Sequence, residues 1–315
     1  MRPTTLRALA ATLLFAAGAA IAQSPNHEAE QKAAFEAADK AKVVGPANVS
    51  LRDQATMRLP EGYLYIPMPA AAQVMQAMGN RSDERLVGIV FPAANEPWFV
   101  AIKFVKEGYV KDDDARDWKP DDLLQSLREG TEAANAERTK RGFPAIEVVG
   151  WAEAPRYDSA THRLVWSASS RERGTGASAD QGVNYNTYAL GREGYISLNL
   201  ITDLDKLGKY RPDALKLLGA LDYLEGKRYA DFDSSTDKVA AYGLATLVAG
   251  AAAKKLGFFA VILAFLAKFA KVLLVVAGAA IWGLVKMFGG RKPEQRAEPR
   301  EPVLLAEATR PPPVA

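Results

Sequence analysis

The chain has 315 residues, with 40 Lys and Arg against 37 Asp and Glu for a formal net charge of +3, a near balance that gives no nucleic-acid surface. It has no cysteine, which removes disulfides, thiolate metal sites and cysteine nucleophiles together while permitting an oxidising compartment. Both ends divide off as processing, membrane or linker sequence, and the middle is long enough to bury a core.

Arg2 and Arg7 precede a short apolar stretch from Leu9 to Ile21, and Ala20-Ile21-Ala22 has the small-x-small form of a signal-peptidase site. Residues 1–22 therefore read as a secretory signal peptide, cleaved after Ala22. From Glu28 to Lys42 the sequence is rich in Ala, Glu and Lys with a thin apolar face. That composition predicts a helical spacer over residues 23–47 rather than a core element.

From Asn48 the texture turns to strands, and residues 48–237 read as one exported α+β domain. Ala55–Leu59 and Tyr63–Ile66 flank Pro60-Glu61-Gly62, which predicts a hairpin. A short helix follows over Pro69–Met78. Leu86–Phe91 and Trp98–Val105 form the clearest strand pair, and their nearly continuous apolar content predicts burial on both faces. Pro120 opens a helix over Asp121–Thr139, with Leu123, Leu124, Leu127 and Ala134 along one side. Ile146–Ala154 pairs with Arg163–Arg171 across Tyr157–Thr161. Asn184–Leu190 pairs with Tyr195–Ile201 across Gly191-Arg192-Glu193-Gly194. A helix around Pro212–Leu224 closes the domain. Hairpins with helices inserted between them predict an α+β fold on a mainly antiparallel sheet, followed by a C-terminal transmembrane helix.

The second apolar region runs from Val239 to Phe288, broken by Lys254, Lys255, Lys268 and Lys271. A hydrocarbon core of about 30 Å takes only part of it. Residues 272–288 read as the span, and residues 238–271 as an apolar or interfacial helix, with Lys268 and Lys271 placed at the membrane interface. Lys286, Arg291, Lys292 and Arg296 follow the span and assign that end to the cytoplasm. The expected topology is single-pass in the inner membrane, with the main domain periplasmic and the C-terminal tail cytoplasmic. A two-span hairpin, Val239–Ala253 entering and Val272–Phe288 returning, is the alternative. Gly243, Ala249, Gly250, Ala251 and Ala252 would let Val239–Leu266 self-associate. Residues 289–315, with Pro293, Pro299, Pro302 and Pro311–Pro313, read as a disordered tail.

Three stretches carry a family resemblance. Gly108-Tyr109-Val110-Lys111-Asp112-Asp113-Asp114-Ala115, Gly150-Trp151 with Pro155-Arg156-Tyr157-Asp158, and Val183-Asn184-Tyr185-Asn186 with Leu190-Gly191-Arg192 resemble the bacterial DUF2167 family of membrane-anchored proteins. Asp237-Lys238-Val239-Ala240-Ala241-Tyr242-Gly243 and the apolar tail are similar too. The resemblance spans roughly Asn48 to Gly290 and implies the architecture above, with no activity to transfer.

Chemistry is sparser. Asp112, Asp113 and Asp114, with Asp117, Asp121 and Asp122 nearby, suit Ca²⁺ or Mg²⁺ by their carboxylates. Lacking the turn glycine and closing glutamate of an EF-hand, they also suit capping of the Asp121 helix. The glycines of Gly174–Gly182 precede a strand, not a helix, and lack a lysine, so they read as a hairpin loop rather than a phosphate cradle. His27 and His162 are the only histidines, too few for a histidine zinc site or a triad, and no nucleophile elbow occurs. Trp151, Asn184 and Tyr185 lie on predicted strands that either bind a ligand or fill the core. The functional expectation is a non-enzymatic envelope protein, without cofactor, that binds a partner protein or ligand through its exported domain. The alternative is a metal-dependent binding module or enzyme using the Asp112–Asp114 loop.

Overall fold

Side chains alternate across a strand with a period of two, and the described residues, 25–249 of a computed structural model, are arranged around that rule. The main sheet has 8 strands, in the order β1 (Val43–Val44), β4 (Tyr63–Pro67), β5 (Leu86–Pro92), β6 (Phe99–Val105), β10 (Tyr195–Asp203), β9 (Gly182–Leu190), β8 (Arg163–Glu172) and β7 (Ile146–Asp158). Every neighbouring pair is antiparallel. The fold is therefore α+β on a mainly antiparallel sheet. A smaller sheet of 3 strands runs β11 (Leu221–Tyr223), β3 (Ala55–Leu59), β2 (Ala47–Leu51).

Both faces of the main sheet are covered. Tyr63 and Tyr65, with Val100, Ile102 and Phe104, pack against the small sheet and α4 (Leu207–Gly219). Trp98 is central there, 1% exposed, with Tyr63 edge-on at 6.1 Å and Tyr210 at 5.9 Å. Leu64 and Ile66, with Phe99 and Ala101, face the other way onto α1 (Pro25–Ala41) and α2 (Ala70–Ala77). A third cluster covers β8 and β9, where Leu164, Trp166, Tyr188 and Leu190 meet Leu123 of α3 (Pro120–Lys140) and the last described stretch of chain.

Four expectations need correction. The N-terminal helix is no spacer: Phe35 is 4% and Ala38 0% exposed, packed with Ile66 and Phe91. A thin apolar face suffices when it lands on a sheet that is itself apolar on both sides. Pro60-Glu61-Gly62 does not close a hairpin, because β3 joins the small sheet and β4 the large one. The turn carries the chain between layers. α4 starts at Leu207 and holds Pro212 inside it, since burial of Leu207, Tyr210, Ala214, Leu217 and Leu218 on one stripe outweighs the hydrogen bond that proline omits; residues 221–223 are a strand instead.

The fourth correction concerns the domain's end. Residues 238–249 were expected in a membrane-interface helix, but Ala240, Leu244, Leu247, Val248 and Ala249 are buried in the third cluster. Residue Val239 makes a parallel bridge to Tyr109, and only Ala245–Ala249, here α5, is helical. Ala249 is buried inside the domain, and Gly243 lies against Asp114. No helix among the described residues is long and apolar enough to cross a membrane. The signal peptide, the rest of 238–271, the span 272–288 and the tail 289–315 lie outside the described residues.

Candidate functional site

Between β6 and α3 the chain makes a 3-10 turn, Asp113–Arg116, and arrives at Pro120, which opens α3. Opposite them stands the far end of β7. Where these elements meet, a cleft of about 430 Å³ opens, lined by Asp112, Asp113, Arg116, Trp118, Pro155 and Tyr157 among others. Its wall is irregular for a reason: pairing of β7 with β8 shifts register three times, the last between Glu153 and Arg156. Bulges of this kind bend an edge strand and end regular pairing.

The polar centre is a chain of three side chains. The Tyr157 hydroxyl donates to Asp112 Oδ2 at 2.7 Å, and His162 Nδ1 lies 3.1 Å from the same hydroxyl. Since the phenol has one proton and gives it to the carboxylate, its oxygen accepts from an Nδ1–H on His162. Burial first, then the bond to Asp112, pushes the Tyr157 ionisation far above a phenol's ordinary value, so the hydroxyl stays a donor at neutral pH. The β7–β8 turn holds His162 at φ 51°, a left-handed conformation few non-glycine residues adopt. Asp158 fixes that turn by accepting from Ala160 N–H at 3.0 Å and Thr161 Oγ1 at 2.7 Å.

Behind the cleft four rings form a column. Phe232 lies on Tyr109 with centroids 3.9 Å apart, Tyr109 on Tyr229 at 4.3 Å, and Tyr229 against His162 at 4.1 Å. The Tyr229 hydroxyl donates to the Val110 carbonyl at 2.9 Å. Burial raises the ionisation of Tyr109 and, with Tyr109 as neighbour, that of Tyr229. The Trp118 indole Nε1 is out of contact with solvent and has no partner among the described residues.

The sequence-singled residues do not form one site. Asp112 and Asp113 line the cleft, whereas Asp114 turns away and accepts from Leu244 N–H at 3.0 Å and Ala245 N–H at 2.9 Å. Capping is therefore what this aspartate does, but of α5 rather than α3. The three carboxylates diverge, and among the described residues no three ligand-type side chains gather as a metal would need. Trp151 borders the cleft only through Pro120, whose carbonyl it bonds at 3.2 Å, and it packs edge-on against Trp166. Asn184 is exposed on one sheet face, while Tyr185 is fully buried on the other. The Tyr185 hydroxyl donates to Glu153 at 3.0 Å, and Arg211 Nε lies 3.2 Å from it. Lys268, Lys271, Lys286, Arg291 and Lys292 lie outside the described residues.

Tyr157, His162, Trp118 and Tyr229 were missed as site residues. A signal for Tyr157 was present: the stretches Gly108–Ala115 and Pro155–Asp158 face each other across the cleft. A second groove, of about 430 Å³ between α3 and β7, has its charges spent: Glu132 pairs with Arg173, Glu147 with Arg171, and Arg128 bonds β7 carbonyls.

A family model described as "Protein of unknown function (DUF2167)" matches residues 43–278, well over half of the chain. No curated protein matches it. Among solved structures, the solution structure of cyanobacterial PsbP (CyanoP) from Synechocystis sp. PCC 6803 is similar over 58% of this chain and 91% of that one, at 8% identity and a TM-score of 0.34, too distant a likeness to carry an argument.

Proposed function

The chain belongs to the DUF2167 family, and from that premise we propose that it is a membrane-anchored envelope protein whose folded domain binds a partner protein or ligand at the cleft beside Asp112 and Tyr157. One observation carries the reading: a concave site of about 430 Å³, lined by both charge signs and two aromatic rings, sits where the acidic turn after Val110 meets the stretch Pro155–Tyr157. Pockets of roughly 300–1,000 Å³ with a few fixed polar groups are the usual form of binding sites. The groups present suit recognition. Asp112 and Asp113 accept, Arg116 and Arg156 donate, and Trp118 and Tyr157 supply apolar surface with a polar edge. The Tyr157 hydroxyl, held protonated, orients the carboxylate rather than passing protons.

The membrane placement rests on sequence: the leader-like residues 1–22, the apolar residues 272–288 and the basic cluster after them. In this reading the domain stands outside the inner membrane and the tail lies in the cytoplasm, so the partner is an envelope protein or an envelope-side ligand.

A photo-crosslinking residue placed at Trp118 in the full chain, irradiated in intact cells, tests the cleft. A discrete adduct from position 118, absent when the same residue replaces exposed Glu61, supports it. Adducts from both positions, or from neither, overturn the cleft as a protein-docking site.

A further inference from the structure

Asp112 and Asp114 stand two residues apart on one short turn and serve opposite sides of it. Asp112 takes the Tyr157 hydroxyl at the cleft. Asp114 spreads its two oxygens over Leu244 N–H and Ala245 N–H, the amides at the start of α5. The contact is close: a Cβ on Gly243 would come within 2.6 Å of Asp114 Oδ2. Five residues earlier the same two stretches are already joined, Tyr109 N–H to the Lys238 carbonyl at 2.8 Å and Ala240 N–H to the Tyr109 carbonyl at 2.9 Å. Gly108, at φ +97°, makes room for that approach. Arg192 grips Asp237 with two bonds, at 2.7 and 2.9 Å, at the segment's start. Residues 108–114 therefore run between the two, with the cleft on one side and residues 238–245, bonded at Tyr109 and at Asp114, on the other.

We propose that this acidic turn couples the cleft to the membrane-proximal segment, so that loss of the Asp112–Tyr157 contact loosens the hold of Asp114 on residues 243–245. The turn is bonded within itself, Ala115 N–H to the Asp112 carbonyl at 3.2 Å and Asp117 N–H to the Asp114 carbonyl at 3.3 Å, which is the path by which a shift of Asp112 reaches Asp114. A ligand group that takes Asp112 from Tyr157, a cation or a strong hydrogen-bond donor, is the input. The packing of Leu244, Leu247 and Val248 is the output, and these residues begin the apolar region, Val239 to Phe288, whose later part is read as the span. The ligand input rests on the cleft reading above; the mechanical coupling does not.

The test is hydrogen–deuterium exchange of the full chain in detergent micelles, followed in peptides covering residues 240–249, with 86–105 as a control for global folding. Tyr157→Phe removes the hydroxyl that reaches Asp112 and keeps the ring, which packs against the third cluster. It is expected to raise exchange in 240–249 at least three-fold with 86–105 unchanged. Asp114→Ala is expected to raise it further, and the double variant to add little beyond Asp114→Ala, as coupled sites do. Unchanged exchange in Tyr157→Phe overturns the coupling even if Asp114→Ala loosens the segment. Should Asp114→Ala lose protection in 86–105, Asp114→Asn, which keeps one acceptor oxygen, replaces it in the same comparison. Because no ligand is added, a cleft that fails to crosslink leaves this result standing, and a failed coupling leaves the cleft as a binding site.

Discussion

The side-chain amide of Asn135 donates to the carbonyl oxygen of Ile146 and accepts from its N–H, both at 2.9 Å. A helix residue thus occupies the place of a neighbouring strand at the outer edge of β7. Two turns earlier on the same helix, Arg128 bonds the Val149 carbonyl at 2.7 Å. Open strand edges invite pairing with other chains, and α3 closes this one with side chains.

Replacement of Asn135 tests that role. Asn135 is 4% exposed, so Asn135→Ala leaves the N–H and C=O of half-buried Ile146 without their side-chain partners, a loss of at most about 1–3 kcal/mol for each group. Asn135→Asp can accept but not donate, and sets a carboxylate against the Ile146 carbonyl. Urea denaturation is expected to show both variants destabilised, Asp at least as much as Ala. A loss below about 0.5 kcal/mol, the range of ordinary surface changes, would mean water serves the edge equally well.

Phe35 decides whether the N-terminal helix belongs to the core. It is 4% exposed and packs among Ile66, Ala71 and Phe91. Phe35→Ala is expected to cost about 3–5 kcal/mol, as for other buried aromatics, read as a lowered denaturation midpoint. A spacer helix would show almost no change.

The far end of the domain makes a parallel prediction. Leu244, Leu247 and Val248 are 0%, 7% and 1% exposed, against Trp166 and Tyr188. A chain ended after Asp237 removes all three, at roughly 1.5–3 kcal/mol of burial each. Its melting temperature is expected to fall well below that of a chain ended after Ala249, and equal values would show that the segment contributes no packing.

Asp237 gives the fold an acid limb. The Arg192 guanidinium beside it, helped by the Asp233 N–H, lowers its carboxyl to about 2, against an unfolded value of about 4. A carboxyl depressed on folding contributes stability that is full above the unfolded value and lost as pH falls toward the folded one. Stability of the native chain should therefore decline from about pH 4 down to pH 2, and Arg192→Gln should flatten that part of the decline. Identical acid profiles for the two proteins would remove the pair from the account.

Much of this fold was legible because its signals are local. Tyr63 to Ile66 and Trp98 to Val105 alternate between two apolar faces, and Gly191 to Gly194 marks its hairpin outright. Where the sequence misled, distant partners decided the outcome. Pro60-Glu61-Gly62 is turn chemistry, but which sheet each flanking strand joins depends on Leu221 and Val90 far along the chain. Pro212 announces a helix start in isolation and is overruled by the stripe from Leu207 to Leu218. The site was half visible for the same reason. The acidic run was found, but its three carboxylates are sorted by residues from the β7–β8 turn and from the C-terminal segment, and His162 enters only because that turn folds back onto Tyr229.

The proposed membrane topology can be tested by thiol labelling, which the native chain makes simple. With no cysteine present, Ser178→Cys and Ala308→Cys each place one reactive thiol. Ser178 is exposed in the β8–β9 loop, and Ala308 follows, in sequence, the residues 272–288 proposed as the span and the basic cluster after them. Single-pass topology with the domain outside requires that an impermeant maleimide label position 178 in intact spheroplasts and position 308 only after permeabilisation. The basic residues Lys286, Arg291 and Lys292 are what should hold the tail inside, since cytoplasmic flanks gather lysine and arginine. Labelling of position 308 in intact spheroplasts would refute the single span and favour a hairpin. Its incoming limb would then have to draw on residues 239–249, pulling Leu244 and Leu247 out of the core, so that topology should also show rapid amide exchange there.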